Sequence, residues 1–120
     1  MHEIGLIQEV IGLVRASALE NGLNRVTRIK LVVGKMTAAK PESLEFAFGA
    51  LSMSEPWLQG AVLEIEEREL VVVCSGCGER QEVHAHRFRC RSCGGQDLII
   101  AEGRELRVES FEGEADGSEL

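Results

Sequence analysis

At 120 residues, with 44% hydrophobic and 28% charged side chains, the chain has the size and balance of one globular domain, or of one domain carrying a small satellite. Its net charge of −7 is uneven: −3 over residues 1–73, +2 over 74–96 and −6 over 97–120. That field repels a phosphate backbone and argues against nucleic acid as the main partner, and no stretch is long and apolar enough to predict a membrane span.

The first element predicted is a helix. From Ile4 the apolar residues Ile7, Val10, Ile11, Val14 and Ala18 recur at spacings of three and four, and Gln8, Glu9, Arg15 and Glu20 take the other face. The charges interrupt the apolar run, so it does not read as a targeting segment; the expected location is the cytosol, where thiols stay reduced. Asn21-Gly22 supplies the stop. Arg25 to Gly34 alternates as a half-buried strand, with Thr27, Ile29, Leu31 and Val33 inward and Arg28 and Lys30 outward.

Pro41 followed by Glu42 signals a second helix, its inner face Leu44, Ala47, Phe48 and Leu51, ended by Pro56. Ala61 to Val73 begins as an alternating strand, Leu63 and Ile65 inward, and runs into Leu70-Val71-Val72-Val73. After a cysteine-bearing segment, Leu98-Ile99-Ile100 and Glu105–Phe111 read as strands, and the acidic, Gly-rich tail 112–120 as disordered. The order predicts an α+β fold: two helices packed on a three-stranded sheet, with an inserted zinc-ribbon-like lobe. With four Phe, one Trp and no Tyr, aliphatic side chains must build the core.

The insert carries two copies of one pattern, Cys74-Ser75-Gly76-Cys77-Gly78 and Cys90-Arg91-Ser92-Cys93-Gly94, twelve residues apart. Each C-x-x-C turns two sulfurs toward one ion, and the Gly after it permits the positive φ that such a knuckle needs. Four thiolates make a closed tetrahedral set suited to zinc, structural rather than catalytic because no coordination position stays open. Spacing alone leaves iron, a redox dithiol and two disulfides as alternatives. His84 and His86 lie between the knuckles and read as exposed strand residues; Arg87, Arg89 and Arg91 read as a solvated basic cluster or a docking surface for an acidic partner.

The chain starts Met1-His2-Glu3. A free amine at Met1 and the amide and ring nitrogens of His2 can close fused chelate rings on one ion. With the amide of Glu3 the four nitrogens suit planar Ni(II) or Cu(II); with carboxylate and water they complete an octahedron. Glu3 is the nearest carboxylate and Glu42 a second one. A histidine at position two is common by chance, so the donors alone do not establish a metal role.

Several stretches resemble the hydrogenase nickel-incorporation proteins, the HypA family of nickel metallochaperones: Met1-His2-Glu3, Leu31-Val32-Val33-Gly34, Pro41-Glu42-Ser43-Leu44-Glu45-Phe46, Gly60–Glu66, the paired knuckles and Gly103-Arg104-Glu105-Leu106. The resemblance runs from residue 1 to about 111; where members often carry Pro within a knuckle, this chain has Ser75 and Ser92. It implies a nickel-binding α+β domain over 1–69 and 101–111, a zinc-binding domain over 70–100, nickel held by Met1, His2 and Glu3, and zinc held by Cys74, Cys77, Cys90 and Cys93. It further implies a cytoplasmic, non-enzymatic protein that works with a HypB-like GTPase accessory protein to deliver nickel to the [NiFe] hydrogenase large subunit, some relatives also serving urease maturation proteins. The alternative is a nucleic-acid-binding zinc ribbon, favoured by the local +2 charge and opposed by the acidic remainder and the scarcity of aromatics for stacking.

Overall fold

The structure is a computed structural model that describes residues 3–84 and 88–115. The chain divides into two compact units. One takes residues up to Val32, Ala39–Glu66 and the chain from Arg107; the other takes Val33–Ala38 and Glu67–Leu106.

In the first unit, helix α1 (Glu3–Glu20) buries Ile7, Val10, Ile11, Val14 and Ala18, the stripe that the spacing predicts. It closes in a Schellman turn: Leu23 N–H donates to the Ala18 carbonyl and Gly22 N–H to that of Leu19, with Gly22 at φ +71°. Helix α2 (Pro41–Ser52) starts on its proline and buries Leu44, Ala47 and Phe48, while the expected Leu51, in its last turn, is only half-buried. The two helices pack against each other.

Strand β1 (Arg25–Gly34) is the centre of a three-stranded sheet, flanked by β2 (Val62–Arg68) and β6 (Leu106–Glu114). Its fully buried residues begin with Val26 and Ile29, three apart, so the expected inward Thr27 is only half-buried and strict alternation fails at the start of the strand. Outward, Arg28 pairs with Glu64 at 2.9 Å and Lys30 with Glu66 at 3.1 Å, contacts worth little each in solvent.

β6 continues to Glu114, three residues into the segment expected to be disordered, because β1 and the residue before it supply partners. Asn24 N–H donates to the Glu114 carbonyl and Thr27 Oγ1–H to that of Glu112. Residues 116–120 lie outside the described ones.

The run expected as one strand from Ala61 to Val73 divides at Glu69-Leu70. Its second half is β3 (Val71–Cys74), the centre of another antiparallel sheet between β4 (Arg80–Glu82) and β5 (Leu98–Glu102). β3 faces β4 with Val71 opposite Glu82 and Val73 opposite Arg80. Arg80 and Glu102, from the two outer strands of this sheet, form an ion pair.

In this second unit the end of β1 meets the turn before β6 without room for a side chain. Gly34 N–H donates to the Glu105 carbonyl and Met36 N–H to that of Gly103 at 2.8 Å. A Cβ on Gly34 would collide with the Gly103 carbonyl oxygen. Among the described residues the fold is mixed α+β, as the pattern predicts, with two α-helices and two small sheets.

Candidate metal centre

β3 delivers Cys74 at its last position, and the chain turns at once into the first knuckle. Cys74 N–H donates to the Glu79 carbonyl at 2.9 Å, and Gly78 N–H returns to the Cys74 carbonyl at 2.8 Å. The second knuckle repeats both bonds: Cys90 N–H to the Gly95 carbonyl at 2.8 Å, Gly94 N–H to the Cys90 carbonyl at 2.9 Å. Gly78 stands at φ +80° and Gly94 at φ +75°, so each C-x-x-C-G ends in the left-handed conformation that the sequence calls for. Two like turns present their sulfurs to a common point.

All four sulfurs lie within 4.8 Å of one another. Cys74 and Cys93 approach to 3.6 Å, and Cys77 and Cys90 to 3.5 Å. A disulfide needs about 2.05 Å, so these are free thiols. A tetrahedral zinc ion with Zn–S bonds of about 2.3 Å sets its sulfurs ~3.8 Å apart, close to what is found. The donor set fits such an ion. Cys74 and Cys90 are buried, Cys77 and Cys93 exposed.

Charge at the cluster is arranged for a cation. Three N–H donors hold the Cys90 thiol down to about 6: the backbone of Cys93 first, the Gln81 side-chain amide, and the backbone of Ser92. Cys77 has a lowering bond from the Glu79 backbone, but the neighbouring sulfurs, led by Cys90, push it up to about 12. Cys93 is raised too: the Gly95 backbone N–H opposes the rise, and crowding by Cys74 and Cys90 prevails. One thiolate forms readily, and a full set needs a bound positive ion.

Gln81 is the functional residue that the sequence does not flag. It sits at the inner position of β4 and is 5% exposed. Its Nε2 donates to Cys90 Sγ at 3.4 Å and its Oε1 accepts from Arg91 N–H at 2.9 Å. One side chain thus orients a sulfur and the loop that carries it. Its only sequence signal is a polar residue where strand alternation puts an inward one.

The expected nickel ligands divide. Met1 and His2 lie outside the described residues; Glu3 is the first residue of α1 and is half-buried. Glu3, Ile4 and Gly5 line an open groove of about 600 Å³ with Glu42, Ser43, Phe46 and Ala47, so the first turns of both helices, each with one carboxylate, border the same space. His84 is exposed, 3.4 Å from a Glu82 carboxylate oxygen, and His86 lies outside the described residues.

The family described as "Hydrogenase/urease nickel incorporation, metallochaperone, hypA" matches residues 1–113. The hydrogenase maturation factor HypA of Moorella thermoacetica is 36% identical over 114 residues, 95% of this chain and 100% of that protein. Its counterpart in Chlorobaculum parvum is 39% identical over 111 residues, 92% of this chain and 97% of that one. The solution structure of the Ni metallochaperone HypA from Helicobacter pylori superposes with a TM-score of 0.69 at 24% identity, covering 97% of this chain and 100% of that one. A second HypA solution structure gives 0.72 at 24% identity, covering 97% and 98%; both are likenesses of fold.

Proposed function

The chain belongs to the HypA family of hydrogenase/urease nickel-incorporation metallochaperones, and from that premise we propose that it takes up Ni(II) at its amino terminus and passes it to the large subunit of a [NiFe] hydrogenase during maturation. The carrying observation is that the family match begins at residue 1, so that it includes Met1-His2-Glu3. The Met1 amine and the His2 imidazole are the first donors in this reading; Glu3 and Glu42, whose residues line one groove, are the candidate oxygen ligands. Amine and imidazole must lose protons to bind, so acid weakens the hold. Ligands on a chain end exchange readily, which suits handing an ion on.

Cys74, Cys77, Cys90 and Cys93 hold zinc in this reading. The ion supplies the fixed positive charge that keeps four thiolates together, and a lobe with so small a core draws its folding energy from it. A HypB-like GTPase is the proposed partner in delivery, and urease maturation proteins a second destination. The setting is the cytoplasm; among the described residues no helix is long and apolar enough to cross a membrane. The role is binding and transfer, without catalysis.

The test is metal analysis and calorimetric nickel titration of untagged protein. His2→Ala should remove the tight nickel-binding step and leave zinc content unchanged. Acetylating the Met1 amine should weaken that step. Undiminished nickel affinity in either case sinks the amino-terminal site.

A further inference from the structure

We propose that Glu69, Glu82 and His84 form a separate, open site for a first-row divalent metal ion on the β3–β4 hairpin. One oxygen from each carboxylate and one His84 ring nitrogen lie within 4.8 Å of one another. His84 Nε2 and Glu82 Oε1 are 3.4 Å apart, near the ~3.0–3.4 Å that separates adjacent ligands on an ion with bonds of about 2.1 Å.

The placement follows from the backbone. Val71 pairs with Glu82 across β3 and β4, and Val83 N–H donates to the Leu70 carbonyl at 2.8 Å. That bond fixes residue 83 beside residue 70. Its neighbours Glu82 and His84, two apart and so on one side of the extended chain, are thereby brought to Glu69. Donors from two segments converge because the ladder continues one residue past the strands.

The site already attracts a cation. Lys35 Nζ lies 2.8 Å from Glu69 Oε2. The ammonium is held protonated to higher pH than usual, by its hydrogen bond and charge contact with Glu69 chiefly, with Glu67 and Glu82 adding to the field. Glu69 is correspondingly held ionised. A divalent ion would displace Lys35 and gain His84 as a nitrogen ligand. Two carboxylates and one imidazole, with the remaining positions left to water, suit Ni(II), Co(II) or Zn(II); Mg(II) and Ca(II) prefer oxygen throughout. Neither the four thiols nor the amino-terminal donors take part, so the site stands or falls independently of the nickel reading above.

The probe is Ni(II) added to full-length, zinc-loaded His2→Ala protein, which removes the proposed amino-terminal site, followed by amide and imidazole NMR. The expected result is saturable perturbation centred on Glu69, Glu82 and His84 at one added ion per chain. His84→Ala in that background should weaken it at least about tenfold. Lys35→Ala should tighten it several-fold, a gain that general damage to the hairpin cannot produce. Perturbations absent from these three residues, unchanged binding in His84→Ala, or weaker binding in Lys35→Ala would each overturn the proposal.

Discussion

Gln81→Leu is the substitution that separates packing from metal orientation at the cysteine cluster. The side chains are similar in size and the position is buried, so the inner face of β4 stays filled. What goes is the amide that donates to Cys90 Sγ and accepts from Arg91 N–H. A hydrogen bond to a charged group is worth about 1.5–3 kcal/mol, and the freed Arg91 N–H recovers part of its loss because that residue is exposed to water. The expected cost to zinc binding is about 2–3 kcal/mol, roughly 30- to 150-fold in affinity. Competition against a chromophoric chelator at fixed pH reads this directly. Zinc affinity within about twofold of the parent would refute the reasoning, since neither bond would then be supporting the site.

Gly34→Ala should destabilise by about 3 kcal/mol, because the new methyl meets the Gly103 carbonyl, which is backbone and cannot rotate away. The same change at Gly49, in α2 with nothing near its Cβ direction, should be neutral or stabilise by up to ~1 kcal/mol; urea melts compare the two. For the thiols, Cys77 and Cys93 are protonated at neutral pH in the metal-free protein and must ionise to bind, whereas Cys90, at about 6, is already a thiolate. Zinc affinity should therefore fall as pH drops, by at least ~100-fold per unit between pH 8 and 7, and a slope below tenfold would contradict the assignment.

Elements governed by local pattern were legible in the chain. The α1 stripe, the α2 inner face, the Gly22 stop and both knuckles follow from spacing or from the one residue that tolerates positive φ. Features that depend on distant partners were not. Val26 replaces Thr27 inward although both fit a strand, and β6 outruns its apolar pattern because Asn24 and Thr27 supply partners. Residues 61–73 read as one strand, yet the halves join different sheets, a choice made by tertiary pairing. Of the candidate site, the cysteines were evident from their repeat, while Gln81 and the meeting of Glu69 with Glu82 and His84 emerge only once β3 and β4 are in register.

Trp57 lies in a short 3-10 turn of the first unit, its indole N–H on Glu55 at 2.7 Å and the Arg15 guanidinium 5.6 Å from its ring. It is the sole tryptophan, and the chain has no tyrosine. Intrinsic emission is therefore a single-site signal from the first unit alone, set by a cation above the ring and a carboxylate at its edge. Adding zinc to the second unit's cysteine cluster and then chelating it, while watching that emission, asks whether the change is felt at a chromophore that belongs to the other unit, with no label attached.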